Sequence, residues 1–433
     1  MHRDSAYSWY VVGVLTFVYM TAFVDRQILS LLVGPIKRSL GVSDTEMGLL
    51  QGLAFAVFYT LLGMPIGYLA DRRSRRAIIA AGAAIWSVMT AACGLARTFP
   101  QLFLARVGVG VGEASISPAA LSMIGDYFPP DRRPLAMSIF VSAGSIGSGV
   151  ALIMGGAVIG FAERLSFADD GPFGPLAGWQ VIFILVGLPG LLGAALMATV
   201  REPERIGAGP PGSAGTAALL RFLRRHWRAL STHIGGFAAF SVLVYAVMFW
   251  IPTYFVRHHG LSEREVGVGY GVGVLVFGIL GAFGGGAFAG WRRRRGDRAA
   301  ALVTVAVGAG ASTVPALLAV LVPHAGAAMI CAGAFNFCVS FASGSSAAAF
   351  QEYTPNQLRA QITALYYFLI NLLGLSIGGV SVGFLNDVVF GDEAAVGRSL
   401  LVLIAILGPA GAALIAAGVP AFRRAAEHFD AAA

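Results

Sequence analysis

Long apolar stretches, each near the roughly 20 residues a helix needs to cross a bilayer, alternate along this chain with short arginine-rich connections. Taken in order they predict spanning helices near 8–33, 46–70, 77–97, 100–126, 135–161 and 179–200. A second six follow near 232–256, 264–290, 299–323, 326–352, 359–385 and 396–422. The pattern is that of an all-α polytopic membrane protein with twelve transmembrane helices in two six-helix halves. Few residues precede the first stretch, which carries Asp25 and Arg26 and has no small-residue cleavage site, so it reads as a retained span and not a signal peptide.

The longest polar interruption separates the halves. Between Arg201 and Ser231 come Pro203, Gly209-Pro210-Pro211-Gly212 and then Leu219-Leu220-Arg221-Phe222-Leu223-Arg224-Arg225. This reads as a pliable linker followed by a surface amphipathic helix. The expected organisation is therefore 1–200 as the first half, 201–231 as the connection, 232–422 as the second half and 423–433 as a tail. The halves also echo each other: Asp126-Tyr127-Phe128-Pro129-Pro130-Asp131-Arg132-Arg133 after span four is matched by Glu352-Tyr353-Thr354-Pro355-Asn356-Gln357-Leu358-Arg359 after span ten. An acid, Tyr, Pro and Arg recur in register, as an internal duplication would leave them.

Composition sharpens the picture. With 57% hydrophobic and only 12% charged residues, and a mean hydropathy of +0.75, a water-soluble enzyme is excluded. A net charge of +8 can suggest nucleic acid, but the basic residues sit in the gaps between spans, where they set orientation, so no nucleic-acid partner is expected. With the N-terminus inside, 21 of the 30 basic residues fall in cytoplasmic segments, which predicts cytoplasmic termini and linker. Cys93, Cys331 and Cys338 lie within apolar runs and form neither a disulfide framework nor a metal site. His258-His259 has no third ligand at metal spacing. No cofactor is expected. A single lysine against 29 arginines, with abundant alanine, points to a GC-rich bacterial genome and hence a bacterial inner membrane.

Four ionisable residues stand inside the predicted spans: Asp25, Arg26, Arg106 and Glu113. Such groups are costly in hydrocarbon and default to a functional or paired role. At 1.5 Å per residue, Asp25 and Arg106 each lie about 9 to 12 Å below the outer surface and can meet, while Glu113 lies about 10 Å deeper. They are candidates either for a static charge-neutral knot or for a proton relay beside an anion site. Tyr245, Trp250, Asn336, Ser340, Tyr366 and Asn371 are candidate cavity-lining residues of the second half, with helix-packing roles as the alternative. Gly108-x-Gly110-x-Gly112 has no preceding strand, so it is read as close helix packing and not a nucleotide loop.

After span two the sequence runs Gly63-Met64-Pro65-Ile66-Gly67-Tyr68-Leu69-Ala70-Asp71-Arg72-Arg73-Ser74-Arg75-Arg76. This resembles the Gly-x-x-x-Asp-Arg-x-x-Arg signature of the major facilitator superfamily, and implies a cytoplasmic gate built from Gly67, Asp71, Arg72 and Arg75 with Asp126. The equivalent loop after span eight has Gly290 where the signature has Asp, with Asp297-Arg298 further along. Val24-Asp25-Arg26-Gln27 together with Arg106-Val107-Gly108-Val109-Gly110-Val111-Gly112-Glu113-Ala114 is similar to the bacterial branch of the Spinster family within that superfamily. The resemblance implies a proton-coupled, alternating-access transporter of lysophospholipids or sphingoid phosphates, with Asp25 and Glu113 coupling protons. Arg26 and Arg106, together with Tyr245, Trp250, Asn336, Tyr366 and Asn371, are then the expected substrate-binding residues. The expected partners are membrane lipids, a small amphiphilic substrate and protons, and the expected state is a monomer.

The second half has Ala332 and Val339 at the positions equivalent to Arg106 and Glu113. A cavity polar on one side and apolar on the other suits an amphiphile better than a sugar. An exporter of drugs or organic anions on the same scaffold, and a non-transporting receptor or scaffold, are the competing readings. An enzyme is not expected, since no span places a nucleophile beside a base.

Overall fold

The computed structural model describes residues 5–70, 72–129, 132–162, 176–205 and 216–432. Among these are twelve helices long and apolar enough to cross a membrane. They are α1 (Ala6–Leu31), α2 (Asp44–Ala70), α3 (Arg75–Cys93), α4 (Phe99–Tyr127), α5 (Leu135–Ile159), α6 (Gly178–Thr199), α7 (Trp227–His259), α8 (Glu263–Arg294), α9 (Ala300–Leu321), α10 (Ala325–Phe350), α11 (Gln361–Phe390) and α12 (Glu393–Glu427). An even number of spans puts both ends of the bundle's path on one membrane face, and the arginine-rich loops lie on that face. This is the arginine-rich face.

Local chemistry sets the helix ends. Gly41 at φ 65° ends a short helix, Val33–Leu40, that follows α1 after a break at Leu32. Ser43 then caps α2 by accepting from the Glu46 amide, while Glu46 accepts from the Ser43 amide at 2.8 Å. The same device recurs before α8: Gly260 at φ 65° ends α7, and Ser262 and Glu265 form the reciprocal pair. Each box satisfies two backbone donors otherwise without partners and contributes about 1 kcal/mol. Gly-Val-Ser-Asp-Thr-Glu from Gly41 and Gly-Leu-Ser-Glu-Arg-Glu from Gly260 thus form a second echo between the halves.

Packing repeats as the sequence does. In the first six helices α1 packs on α5, α2 on α4, α3 on α4, and α6 on both α1 and α3; in the second six α7 packs on α11, α8 on α10, α9 on α10, and α12 on both α7 and α9. The halves meet along two seams, α2 against α11 and α5 against α8, with α1 touching α7. Glycine makes the α5–α8 seam possible. A Cβ on Gly267 would stand 2.6 Å from the Leu152 carbonyl oxygen and 2.8 Å from the Cα of Gly156, so only a bare backbone fits. This seam runs from the face opposite the arginine-rich one to mid-membrane, where Ser145 faces Gly278 at 3.7 Å from a Cβ built there. Beyond it, toward the arginine-rich face, Met64 and Tyr68 of α2 and Phe283 of α8 are exposed.

The connection holds the expected surface helix, Thr216–Arg225. Residues 206–215 of the connection lie outside the described residues, Gly209 to Gly212 among them.

Candidate functional site

The four charged residues of α1 and α4 meet as two separate ion pairs. Arg26 reaches Glu113 Oε2 with Nε at 2.6 Å and Nη2 at 2.5 Å; Arg106 Nη1 reaches Asp25 Oδ2 at 3.2 Å. Asp25, Arg106 and Glu113 are each 1% exposed, so neither acid borrows much from water. Glycine brings α4 close enough to its neighbours for this. A Cβ on Gly112 would lie 2.6 Å from the Trp86 amide and 2.7 Å from the Gly82 carbonyl of α3, and one on Gly110 would lie 2.6 Å from the Phe55 carbonyl of α2. The helix-packing reading of that glycine run therefore holds. Helix α4 is broken just past Glu113, into Phe99–Glu113 and Ile116–Tyr127. The carbonyl end of the first piece favours a cation there, and Arg26 supplies it.

Each acid engages its arginine through one oxygen. The other, Asp25 Oδ1 or Glu113 Oε1, is buried with no partner at hydrogen-bond distance among the described residues, the Thr90 hydroxyl being the polar side chain next to Asp25. A buried carboxylate oxygen without a donor costs free energy, and a proton placed there would lower that cost by removing the buried charge. Arg26 is further enclosed by aromatic rings, with its guanidinium carbon 4.3 Å from the Phe55 centroid, 4.7 Å from Tyr59 and 5.1 Å from Phe23. The hydroxyls of Tyr59, Tyr19 and, from the second half, Tyr245 lie within electrostatic reach of it. Sequence reasoning missed this box. Phe23 is one turn before Arg26, and Phe55 and Tyr59 are one turn apart on α2, so helical spacing was the available signal.

A second site closes the face opposite the arginine-rich one, and it too was not foreseen. Asp44, fully buried at the start of α2, accepts from Arg257 of α7 at 2.6 and 2.8 Å, from Lys37 at 2.5 Å and from Asn386 of α11 at 2.8 Å. Asp387 answers from the second half, accepting from the Thr45 amide and hydroxyl, both at 2.6 Å, at the N-terminus of α2. Lys37 also reaches Glu393 at 2.9 Å. These bonds clasp the halves together and leave the molecule shut on this face.

At the arginine-rich face, Arg75 is buried and binds Asp126, Glu202 (2.8 Å), Ser122 (2.9 Å) and the Pro203 carbonyl (3.0 Å). All of these belong to the first half or the start of the connection. Burial alone would raise the Glu202 carboxyl, but the Arg76 amide and Arg75 hold it below the usual carboxylate range. Arg72 lies over the Tyr68 ring at 3.9 Å, and a Cβ on Gly67 would meet Pro118 of α4 at 3.8 Å. Asp71 lies outside the described residues. In the second half, Asp297 binds Arg292 (2.6 Å), Arg423 (3.3 Å) and the Ala299 amide (3.0 Å), joining the ends of α8, α9 and α12. Burial works against its charge, yet these donors hold its carboxyl low.

The sequence model of the Major Facilitator Superfamily matches residues 15–379. The chain belongs to the major facilitator superfamily. It is therefore a multi-pass membrane transporter and not an enzyme. An MFS-type efflux pump of Mycolicibacterium smegmatis is 30% identical over 94% of this chain and 91% of that one. The protein spinster of Drosophila melanogaster is 26% identical over 63% of this chain, which spans only 44% of that longer relative. Among solved structures, a bacterial homologue of the human lysosomal transporter Spinster, in an inward-facing and unoccupied conformation, matches with a TM-score of 0.81 and 25% identity over 98% of both chains. The chain is thus a Spinster-like transporter of this superfamily.

The remaining candidate residues do not gather in one place. Trp250 is fully buried and donates to the Gly379 carbonyl at 2.8 Å, tying α7 to α11. Tyr366 is packed among His233, Phe350 and Phe237 and hydrogen-bonded to Ser346, inside a cluster that includes Tyr353 and Phe422. Both sit within packed seams, where the apolar surroundings fix the ring. Asn336 donates to the Tyr270 hydroxyl and to the Ala332 carbonyl, both at 3.1 Å. Asn371 is half-buried on α11.

Proposed function

We propose that this transporter couples protons to the movement of an anionic amphiphile of the lysophospholipid or sphingoid-phosphate kind. It works as a monomer by alternating access in a bacterial inner membrane, with the arginine-rich face and both termini cytoplasmic. The observation that supports this best is the pair of buried acids, each with one oxygen on an arginine and one oxygen unpartnered. A proton taken by Glu113 on Oε1 neutralises the carboxylate and weakens its hold on Arg26, whose guanidinium then accepts an anionic headgroup. Loss of the headgroup restores the Arg26–Glu113 pair and expels the proton. Asp25 and Arg106 repeat the exchange nearer the clasped face. The aromatic box holds Arg26 in place while its anion changes.

In this reading 1–200 and 232–422 move as the two halves, joined by 201–231 and followed by the 423–433 tail. Gly67, Asp71, Arg72, Arg75 and Asp126 close the arginine-rich face when the clasped face opens. Tyr245 and Asn371 line the route, with Asn336 held on Tyr270.

The test is uptake of a labelled lysophospholipid panel into proteoliposomes, with and without a pH gradient. Glu113→Gln and Asp25→Asn should each abolish stimulation by the gradient while the proteins remain folded. Uptake by both variants with the wild-type response to the gradient would remove proton coupling through these acids. The efflux pump of Mycolicibacterium smegmatis, similar over nearly the whole chain, favours a second reading, export of a drug or small organic anion. Gradient-driven movement of a soluble anionic dye without movement of any lysophospholipid would select it.

A further inference from the structure

The two buried acids are alike in exposure and in having one arginine each, yet their surroundings differ by one hydroxyl. On α3, Ser87, Thr90 and Cys93 follow at three-residue steps and are all buried. Glycine fixes how this side of α3 meets α4: a Cβ on Gly112 would stand 2.6 Å from the Trp86 amide nitrogen, and one on Gly108 would stand 2.5 Å from Met89 Cγ. The two helices run antiparallel, so this register sets Thr90 level with Arg106. Thr90 thereby lies beside Asp25, and Cys93, one turn on, lies within electrostatic reach of both Asp25 and Arg106.

Three polar atoms at this level are buried without a hydrogen-bond partner among the described residues: Asp25 Oδ1, Thr90 Oγ1 and Arg106 Nε. A buried hydroxyl on a helix ordinarily turns back to a carbonyl three or four residues earlier. Ser87 does so to the Ala83 carbonyl at 2.6 Å, and Thr21 of α1 to the Val18 carbonyl at 2.8 Å. Thr90 does not. Its hydroxyl and the spare carboxylate oxygen are complementary groups, side by side and both unsatisfied. The charged or titratable groups facing Asp25 are Arg106 and Glu113 of α4, Arg26 of α1 and Cys93 of α3. Those facing Glu113 are Arg26, Asp25 and Arg106, with no hydroxyl among them.

We infer that Thr90 is a positioning residue for the proton on Asp25: its hydroxyl donates to Oδ1 while the acid is charged and accepts from the Oδ1 proton once one has bound, its own hydrogen then turning to the Trp86 carbonyl one turn back. The inference rests on the proton-coupled reading above. A hydroxyl can serve both ways, but a hydrogen bond to a charged acceptor is about twice as strong as a neutral one. Thr90 therefore favours the charged acid, at Asp25 and not at Glu113. That eases return of the proton from Asp25 and re-formation of its pair with Arg106.

The test is infrared titration of the full chain in liposomes, following the carboxylic acid band that Asp25→Asn removes. In Thr90→Val, which keeps the branched shape and loses the hydroxyl, this band should appear about one pH unit higher than in wild type, a roughly tenfold rise in proton affinity. Thr90→Ser should restore the wild-type titration, and the band that Glu113→Gln removes should move far less in either variant. A Thr90→Val band at the wild-type pH, a Thr90→Ser band displaced as far as that of Thr90→Val, or an equal displacement of both acids would each overturn the assignment. Thr90→Ala repeats the test without the bulk of valine, and an unshifted band there counts equally against it. The failures are separable. A wild-type protein that shows no Asp25 band at any pH where it is folded removes Asp25 from proton coupling and this inference with it, whereas an Asp25 band that titrates identically without the hydroxyl removes Thr90 alone.

Discussion

Breaking the clasp should open the face it closes. Asp44→Asn is the smallest suitable change, since it keeps the shape of the side chain and removes the charge that Arg257 and Lys37 share. In a state open on that face, α2 parts from α7 and α11, so Asp44 keeps only Lys37 from its own half. Two inter-half partners of the carboxylate, Arg257 and Asn386, are then lost in either protein. Charge-assisted hydrogen bonds contribute about 1.5–3 kcal/mol each, and desolvation of the buried carboxylate offsets part of it. A net differential of about 1.4–3 kcal/mol moves the open-to-closed ratio by roughly ten- to 150-fold. Spin labels at Ser39→Cys and Arg264→Cys, both exposed at that face, in a background without the three native cysteines, would report it as a longer distance population. Arg257→Gln should act alike, and the double variant should exceed neither by much, because both break one interaction. An unchanged distance distribution in Asp44→Asn, or simple additivity of the two changes, would refute the clasp.

Two further outcomes follow from the same structure. Gly267→Val places a side chain against the Leu152 carbonyl and Gly156, so it should wedge α5 from α8, lengthen the same label distance and reduce transport; a variant with wild-type distances and rates would show that the seam yields. Glu352, outside the membrane spans, has its carboxyl pushed up to about 7 by burial, with Arg293 opposing and Asp297 adding to the rise. The folded state therefore holds this proton more tightly than the unfolded chain, so thermal stability should fall as pH climbs from about 4.5 to about 7. Glu352→Gln should flatten that slope and melt above wild type at pH 8, since Arg293 is 70% exposed and loses little; a slope unchanged by the substitution counts against the assignment.

The fold was legible because span length and apolar character are local properties, and twelve of them survive errors of several residues at every boundary. The buried charges were legible for the same reason: a charge within an apolar run stands out whatever surrounds it. Their pairing was legible only in part. Depth along the helices correctly put Asp25 level with Arg106, but Asp25 and Arg26 are neighbours about 100° apart around α1 and face different partners. Rise alone carries no such angle, so the Arg26–Glu113 pair shows only in the three-dimensional structure. The clasp was hidden because Asp44, Arg257 and Asp387 lie at helix ends, where charges are ordinary. Trp250 and Tyr366 show the converse difficulty, since a polar aromatic residue in an apolar helix reads the same on a seam as on a cavity wall. The two Gly-x-Ser-x-x-Glu caps were in plain view, at Gly41 and Gly260, but their force as a repeat depends on knowing that each glycine is left-handed.

The ion pairs, on α1 and α4, and the clasp, which includes Arg257 of α7, are joined through the contact of α1 with α7. Gln27, next to Arg26, reaches the Met248 carbonyl of α7 at 3.5 Å, and Arg257 lies on the same helix nine residues on. If proton binding at Glu113 changes the balance between the two openings, linkage requires that a change in that balance alter proton binding by the same factor. A tenfold shift from Asp44→Asn should therefore move the pH midpoint of the conformational change by up to about one unit when one proton is coupled. Distance measurements across pH on Asp44→Asn supply the first value, and the same series on Asp44→Asn with Glu113→Gln supplies the control. In the double variant the midpoint should no longer move, because the group whose proton is coupled has gone, while the tenfold shift in the balance itself should persist. A midpoint that moves equally in both would place the coupled proton on another group, with Asp25 the next to test. A midpoint that moves in neither would leave the clasp as a gate with no link to the proton.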